Sequence, residues 1–518
     1  MWTKMAALSN FRRVLITDKI DQSCKAILEK NGVEVTLKPG MPKDEILQVV
    51  KDYDCLIVRS ATKVTEDLIE AGKNLKIIGR AGTGVDNIDV NAATKRGIFV
   101  MNTPGGNTLS AAEHTCALIA AMARNIGQGY ATMREGKWER SKLMGCELNG
   151  KTLAIIGLGR IGREVATRMS SFGMKIIGFD PIVTPEEAAS FGIGYHSLEQ
   201  IWPIADFITV HTPLLPHLRG LLSQKTFNLC KDGVRVINVA RGGLIDEGDL
   251  IEALDSGKVA GAALDVFVSE PPSGISAKLV MHPKVVCTPH LGASTVEAQK
   301  RVAMEIAQQI VDAMNGKPII GLVNAPFLMN MGKSDYKCWM ELGRKMATLL
   351  RCLVKGCTKL EIEVTGKNMG DTKGLINAGV AFGYLQKVNQ DSNLINAMEI
   401  LKQEGIELTW VQSEGIQPQV SLTATTKENT KVAMSGSIAG DSLLLTRVDG
   451  EPLSGPVTLS QRVFVYNASS KSNFFKLVAD NAIKIESFVM TKTGNKVFGT
   501  VADDQDEKIN EGFIFCNF

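Results

Sequence analysis

Three residues between positions 241 and 290 have the types that oxidation of a 2-hydroxy acid needs. Arg241, in NVARGG, can grip a carboxylate through two parallel hydrogen bonds, which a lysine cannot do. His290, in TPHLG, is a base suited to proton exchange near neutral pH. Glu270, in SEPP, is a carboxylate that could hold the imidazole and favour its protonated form. Such a set would still require a hydride acceptor beside it.

Each of these residues also has an ordinary interpretation. An arginine before two glycines is often a surface-loop residue, a histidine after proline is often a turn residue, and Glu-Pro-Pro can simply end a strand. The remaining histidines lack the spacing of metal ligands such as HxxxH, so we expect no metal site: His114, His196, His211, His217 and His282.

A glycine loop at residues 157–162, GLGRIG, predicts the hydride acceptor. It follows the apolar strand TLAIIG, opens a helical segment and carries the three glycines of a dinucleotide fingerprint, Gly157, Gly159 and Gly162. Asp180 follows at the end of the next strand, where a carboxylate binds the ribose and repels a 2′-phosphate. We therefore expect NAD rather than NADP.

A second glycine loop, GRAGTGVDN at residues 79–87, has Asn87 where the third glycine should stand. We interpret it as a loop whose backbone N–H groups, with Arg80, hold an anionic substrate rather than the pyrophosphate. A plain turn is the alternative.

The pattern of elements predicts several domains in the 518 residues. Five short β-rich runs between 14 and 104 alternate with helical patterns, as in a parallel sheet. Six further strands between 152 and 292 have the count of a doubly wound dinucleotide domain. Capping-box spacings, Ser110 with Glu113 and Ser294 with Glu297, predict the starts of two long helices.

We thus expect an α/β fold with two doubly wound parallel-sheet domains followed by α+β C-terminal domains. A flavodoxin-like substrate domain covers 1–105 and is completed by 293–325. A Rossmann NAD domain covers 106–292, and an intervening α+β domain covers 326–457. The remaining 458–518 have a βαββαβ order, typical of ferredoxin-like modules.

Composition narrows the class of partner. The net charge is +3, from 58 basic and 55 acidic residues without a long block of one sign, so neither nucleic acid nor a membrane is expected as a partner. The N-terminal segment lacks an apolar stretch of signal-peptide length, which favours a cytoplasmic protein. Ten cysteines without a CxxC pair are typical of reduced core thiols.

Four motifs, GLGRIGREVA, NVARGGLIDEGDL, GAALDVFVSEPP and PHLGAST, resemble those of D-isomer-specific 2-hydroxyacid dehydrogenases. LIVRSATKVT, GRAGTGVDN, MNTPGGNTLSAAE and GKWER resemble the long, animal-type members that act on a phosphorylated 2-hydroxy acid. The resemblance implies NAD-dependent oxidation of D-3-phosphoglycerate at the first step of L-serine synthesis, by a homo-oligomer that is a homotetramer in this family. It also implies that Arg241, Glu270 and His290 form the catalytic set.

The fingerprint and the resemblance together predict two sets of contacts. The cofactor contacts are Thr83, Gly157, Gly159, Arg160, Ile161, Gly162, Asp180, Thr212, Pro213, Val239, Ala240, Arg241, Asp265, His290, Gly292 and Ala293. The substrate contacts are Arg59, Ser60, Arg80, Asn107 and Arg134. A neighbouring subunit would supply Arg134 or Lys137, and an ordinary surface role is the alternative for both.

Two other functions remain open at this stage. A hydroxypyruvate or glyoxylate reductase of the same family would share the catalytic set but would need no phosphate-binding arginines. An NAD-sensing transcriptional corepressor also resembles this family, although a disordered tail would suit that role and this tail has a folded pattern. The last domain resembles ACT modules that bind serine, but it has no obvious glycine-rich serine-binding loop.

Overall fold

The computed structural model describes residues 11–332, 334–367, 369–459, 462–467, 474, 478, 485–491, 496–501 and 513–518. Its contacts divide the chain into two compact units. One unit is Pro104–Ala303, and the other is Met1–Thr103 together with Met304–Phe518. No helix among the described residues is long and apolar enough to cross a membrane.

The first sheet contains the five predicted strands, in the order β2-β1-β3-β4-β5 and all parallel. This is the flavodoxin-like order that was predicted. The strands are buried because helices cover both faces of a parallel sheet, and β3 is fully buried along its length. The strands are β1 Arg13–Ile16, β2 Glu34–Leu37, β3 Cys55–Val58, β4 Ile77–Arg80 and β5 Phe99–Asn102. The helices are α1 Ser23–Lys30, α2 Lys43–Val49, α3 Glu66–Ala71 and α4 Val90–Lys95.

The second sheet has seven parallel strands in the order β12-β11-β10-β9-β6-β7-β8, so the prediction of six was one short. The strand that was missed, β8, has two residues at the sheet edge and is too short to show a periodic pattern. The strands are β6 Thr152–Ile156, β7 Lys175–Phe179, β8 Gly194–Tyr195, β9 Phe207–Val210, β10 Val234–Asn238, β11 Val259–Leu264 and β12 Val285–Cys287.

Helices of this unit lie between the strands and before them. They are α5 Thr108–Ala123, α6 Ile126–Arg134, α7 Arg160–Ser170, α8 Pro185–Ser190, α9 Leu198–Ile201, α10 Gln224–Leu229, α11 Glu247–Asp255 and α12 Ile275–Val280. A long helix, α13 Val296–Met314, follows and ends before Gly316, as predicted.

Both predicted capping boxes were wrong. Ser110 lies inside α5, and its hydroxyl is 2.7 Å from the hydroxyl of Thr295. The start of α13 is capped by Thr295, whose hydroxyl accepts a hydrogen bond from the Ala298 N–H, rather than by Ser294. Both serines have the S-x-x-E spacing of a capping box. The Ser110 hydroxyl is instead used in a contact with Thr295, which is distant from it in the sequence.

The C-terminal part mixes helices with antiparallel strands, as predicted. A six-stranded sheet has the order β14-β13-β15-β16-β17-β18, with one parallel pair, β13 with β14. Its elements are α14 Ser334–Leu353, β13 Cys357–Thr365, α15 Lys373–Leu385, α16 Ala397–Gln403, β14 Glu407–Ser413, β15 Gln419–Thr426, β16 Lys431–Ala439, β17 Ser442–Val448 and β18 Glu451–Thr458.

The last sheet contains the four strands of the predicted βαββαβ unit, and every neighbouring pair is antiparallel. They are β19 Arg462–Asn467, β20 Ile485–Met490, β21 Lys496–Val501 and β22 Phe513–Asn517, in the order β20-β21-β19-β22. The predicted helices over 472–481 and 506–512 lie outside the described residues, apart from Phe474 and Val478.

Candidate active site

The loops that follow β10, β11 and β12 meet at one edge of the second sheet. The three strands are parallel neighbours, so their carboxyl ends lie side by side. A Cβ on Gly242 would overlap the carbonyl oxygen of Phe267, which shows how closely the first two loops approach. A Cβ on Gly292 would lie 3.1 Å from Val239 and 3.2 Å from the Asp265 carboxylate. The loops carrying Arg241, Glu270 and His290 therefore pack against one another, although each strand ends a few residues earlier than predicted.

His290 and Glu270 form a hydrogen-bonded pair within this cluster of loops. The Nδ1 atom of His290 is 2.8 Å from Oε2 of Glu270, and the two side chains are 48% and 38% exposed. Burial acts against the charged form of Glu270, but hydrogen bonds from His290 and from the Phe267 N–H outweigh it and lower the pKa of Glu270. An ionised Glu270 accepts a hydrogen bond from the Nδ1–H group of His290, which leaves Nε2 for another partner.

The backbone of His290 has φ = 55°, in the left-handed region that residues other than glycine rarely adopt. Such a conformation costs of order 1–3 kcal/mol and persists where surrounding contacts hold it. Here the His290 N–H donates to the Asp265 carbonyl, which fixes the turn.

A cavity of about 400 Å³ opens beside the pair. Glu270 and His290 line one part of it, and the remainder is mostly apolar. The two side chains themselves stay partly exposed, so this apolar surface covers only one side of the pair. The other lining residues are Phe267, Pro271, Pro272, Val280, Cys287, Thr288 and Pro289.

Asn238, which sequence reasoning did not single out, holds the Arg241 loop. Its buried amide donates to the Arg241 carbonyl at 2.7 Å and accepts from the Ala240 N–H at 3.0 Å. The Arg241 guanidinium donates to the Ala240 carbonyl. The loop conformation is thus held by hydrogen bonds within the loop itself.

Asp265 holds the His290 loop in place through hydrogen bonds. Its buried carboxylate accepts from the N–H groups of Leu291 at 2.7 Å and Gly292 at 2.8 Å, and also from the Thr288 hydroxyl and from His114. Burial opposes ionisation, but these hydrogen bonds outweigh it and lower the pKa of Asp265. Asp265 thus supports the loop, its predicted contact with the cofactor stays a prediction, and its partner His114 was missed.

The 157–162 loop assigns a separate role to each glycine. Gly157 has φ = 97° and lies so close to the His211 carbonyl that a Cβ would stand 2.6 Å from its oxygen. A Cβ on Gly162 would overlap the Gly157 carbonyl, so this glycine allows α7 to pack on the strand. A Cβ on Gly159 would meet nothing within 4 Å, which leaves open space at the start of α7. These geometries match the three roles of glycine in a dinucleotide-binding loop: Gly157 allows the tight turn, Gly162 allows close packing of the helix, and Gly159 leaves room for a pyrophosphate.

Two polar groups beside this loop fit a bound dinucleotide. Asp180, just after β7, accepts from the Leu158 N–H at 2.9 Å, so its carboxylate lies against the glycine turn. The Thr212 hydroxyl is buried and has no hydrogen-bond partner among the described residues, and its methyl group borders Gly157. A buried hydroxyl without a partner is costly unless a ligand satisfies it. Arg160 and Ile161 begin α7, and Pro213, Ala240 and Ala293 lie in the loops after β9, β10 and β12.

In the other unit, Arg59 directly follows β3 and Arg80 ends the neighbouring β4, since Val58 pairs with Arg80 in the sheet. The Asp18 carboxylate, which sequence reasoning missed, accepts from the N–H groups of Arg59 and Thr62 and so folds the loop that carries Ser60. Burial lowers the pKa of Arg59, with Asp18 opposing this, and its Nε atom has no hydrogen-bond partner among the described residues. A desolvated guanidinium favours an anionic ligand.

Three of the remaining predicted contacts lie on other segments of the chain. Thr83 lies in the loop after β4, and its carbonyl accepts from the Asn102 amide. Asn107 directly precedes α5. Arg134 is exposed at the end of α6, a helix without a buried residue, so its predicted contact with a neighbouring subunit stays a prediction.

The family model for "D-isomer specific 2-hydroxyacid dehydrogenase, NAD binding domain" matches residues 116–292. A D-3-phosphoglycerate dehydrogenase of Rattus norvegicus is 43% identical over 534 residues, covering 98% of this chain and 100% of that protein. One of Homo sapiens is 52% identical over 407 residues, covering 78% and 76%. The chain therefore belongs to the D-isomer-specific 2-hydroxyacid dehydrogenase family, as its motifs predicted, and NAD is its cofactor.

Solved structures agree with this family. A glyoxylate reductase from Paecilomyes thermophila is 31% identical with a TM-score of 0.56, covering 61% of this chain and 98% of that one. A D-lactate dehydrogenase from Aquifex aeolicus, solved with NAD and lactic acid, is 28% identical with a TM-score of 0.53, covering 58% and 96%. These structures match about three fifths of the chain, whereas the rat relative matches nearly all of it.

Proposed function

We propose that this chain oxidises D-3-phosphoglycerate to 3-phosphohydroxypyruvate with NAD, the first step of L-serine biosynthesis. The observation that carries the proposal is the 2.8 Å hydrogen bond between His290 and Glu270, in a chain whose relatives are named D-3-phosphoglycerate dehydrogenase. A histidine oriented by a carboxylate is the acid–base device that oxidation of a hydroxyl group requires.

Each catalytic residue has one proposed role. Arg241 holds the substrate carboxylate by paired hydrogen bonds, which orients C2. His290 accepts the C2 hydroxyl proton at Nε2, and Glu270 stabilises the resulting imidazolium through Nδ1. NAD, when bound, supplies the nicotinamide carbon that takes up the hydride.

We propose that the 157–162 loop binds the cofactor pyrophosphate at Gly159, where the structure has open space. Asp180 would bind the ribose hydroxyls, and the Thr212 hydroxyl would gain a partner. The other proposed cofactor contacts are Thr83, Arg160, Ile161, Pro213, Val239, Ala240, Asp265, Gly292 and Ala293. The corresponding NAD domain is 106–292, with the substrate domain formed by 1–105 and 293–325.

Arg59, Ser60 and Arg80 are the proposed phosphate ligands. Arg59 directly follows β3, Arg80 ends the adjacent parallel strand β4, and Arg59 is partly desolvated. Two arginines at adjacent strand ends match a phosphate better than they match the uncharged end of glycerate or glyoxylate. This favours a phosphorylated substrate over the reductase alternative.

We also propose that the protein is cytoplasmic and forms a homo-oligomer. The region around α6 exposes five large apolar side chains, more than a solitary surface helix ordinarily carries. We propose that another copy of the chain covers them. The residues are Ile126, Tyr130, Met133, Trp138 and Met144.

Turnover of 3-phosphoglycerate against glycerate, each with NAD, tests the substrate. We expect kcat/KM to favour the phosphorylated acid at least about hundredfold in the wild type, because its phosphate can form charge-assisted hydrogen bonds to Arg59 and Arg80 that glycerate cannot form. Arg59→Ala and Arg80→Ala should remove most of this preference by raising KM for 3-phosphoglycerate. Arg96→Ala, at an exposed position of the same unit, is the control. Equal use of both acids would favour the reductase, and no turnover of either would favour the corepressor.

A further inference from the structure

Two cysteines far apart in the sequence meet in the C-terminal part of the fold. The Sγ atoms of Cys352, on α14, and Cys516, on β22, are 3.1 Å apart across 164 positions of chain. A disulfide has an S–S distance of about 2.05 Å, so a shift of about 1 Å would join them. Both are free thiols, as expected of reduced cysteines, but they lie side by side rather than singly.

Lys387, in the turn after α15, completes the cluster. Its Nζ atom is 3.7 Å from each of the two sulfurs. An ammonium group at this distance favours a thiolate, which is the reactive form of cysteine. Cys352 is partly exposed whereas Cys516 is buried, so an oxidant in solution reaches Cys352 first.

We propose that Cys352 and Cys516 form a redox-sensitive modification site, in which a peroxide converts the two thiols into a disulfide with Lys387 holding the attacking sulfur as a thiolate. This site lies outside the residues proposed for dehydrogenation.

The electrostatics agree with unequal roles for the two sulfurs. A hydrogen bond from the Cys516 thiol, together with the charge of Lys387, lowers the pKa of Cys352 to about 6. The hydrogen bond to Cys352 and then burial raise the pKa of Cys516. Cys352 is therefore the attacking sulfur, and Cys516 is the resolving one.

The chemistry balances with hydrogen peroxide as the oxidant. The Cys352 thiolate attacks one oxygen, an S–O bond forms, the O–O bond breaks, and the released hydroxide takes a proton to become water. Cys516 then attacks the sulfenic sulfur, the S–S bond forms, the S–O bond breaks, and its thiol proton leaves with the second oxygen as water. The two sulfurs lose two electrons, which reduce one peroxide to two waters.

The disulfide would attach the final strand of the chain to helix α14. Cys516 is two residues from the C-terminus, and α14 packs on the six-stranded sheet. Oxidation would thus link the last sheet covalently to its neighbour within the same unit.

The test is mass spectrometry of the full-length chain after brief peroxide treatment at neutral pH, alkylation of the remaining thiols and digestion. We expect a linked peptide pair containing Cys352 and Cys516, absent in Cys352→Ser and slowed about tenfold or more in Lys387→Met. Cys338→Ser is the matched control, because Cys338 is also a partly exposed cysteine on α14, and burial, aided by Asp441, raises its pKa.

A measurement on the wild type covers the possibility that a variant fails to fold. Iodoacetamide should modify Cys352 at least about tenfold faster than Cys338 at pH 7. Equal rates at the two cysteines, or oxidation of Cys352 without a link to Cys516, would overturn the proposal.

Discussion

The Nδ1 atom of His290 lies 2.8 Å from Oε2 of Glu270, across two loops that the sheet brings together. The carboxylate therefore fixes which ring nitrogen is left for the substrate. In the proposed mechanism it also stabilises the imidazolium that forms when a hydroxyl proton is accepted. The order of the strands brings the two loops together, and the proposed chemistry depends on the contact that this makes possible.

Replacing Glu270 by Gln should lower kcat about tenfold to hundredfold, because the imidazolium loses its charged partner. The fall should appear in kcat more than in KM, because the pair acts on the reacting hydroxyl group rather than on substrate binding. Steady-state kinetics with 3-phosphoglycerate measure both constants, with the exposed Glu252→Gln as control. An unchanged kcat in Glu270→Gln would separate Glu270 from the proton transfer.

Replacing Asp265 by Asn should loosen the His290 loop, since the buried acceptor of the Leu291 and Gly292 N–H groups loses one oxygen and its charge. The cost is about 2 kcal/mol. Hydrogen exchange in residues 288–292 should accelerate at least about tenfold. Asp255→Asn, at a carboxylate that is 70% exposed, should leave exchange there unchanged.

The same carboxylate gives a pH dependence with a defined sign. Its pKa is lowered in the fold, so its stabilisation is fully present at neutral pH and is lost as pH falls through the lowered value. The difference in exchange between wild type and Asp265→Asn should therefore shrink in acid. A difference that grew below pH 4 would contradict the assigned hydrogen bonds.

Alanine at Gly159 and at Gly162 should separate cofactor binding from folding. Gly159→Ala adds a methyl group to open space, so stability should change by less than about 0.5 kcal/mol while NAD affinity falls about tenfold or more. Gly162→Ala should destabilise the fold, because its Cβ would overlap the Gly157 carbonyl. Calorimetric titration with NAD and thermal unfolding distinguish the two. Unaltered NAD affinity in folded Gly159→Ala would place the pyrophosphate elsewhere.

Asp180→Asn should relax the discrimination against NADP. Removal of the charge reduces repulsion of a 2′-phosphate, and the ratio of kcat/KM for NADP over NAD should rise about tenfold or more. The amide oxygen can still accept from Leu158, so the unfolding temperature serves as an internal control. A ratio that does not rise would indicate that the ribose does not contact this side chain.

The sheets were predictable where burial on both faces leaves a continuous apolar run, as in CLIV of β3. The edge strand β8 was not predictable, because a strand of two residues is too short to show a periodic pattern. The helix starts failed for a different reason. Ser110 has the spacing of a cap, but its hydroxyl is used by Thr295, which lies 185 positions away.

In the candidate site, Arg241, Glu270 and His290 could be proposed as catalytic residues because the reaction dictates their chemical types. Asp18, Asn238 and His114 could not be identified from the sequence, because they hold loops through hydrogen bonds that form only when the chain folds. Nothing in a single sequence distinguishes them from ordinary polar residues. The Cys352–Cys516 pair was invisible for the same reason.

The most direct test of the account is NADH formation from 3-phosphoglycerate by the wild type and by His290→Ala, with NAD binding measured on the same samples. We expect NADH formation to fall about a hundredfold or more in the variant while NAD binding is largely retained, as for removal of a proton-transfer group. Unchanged turnover in His290→Ala, or a wild-type chain that binds no NAD, would contradict the account.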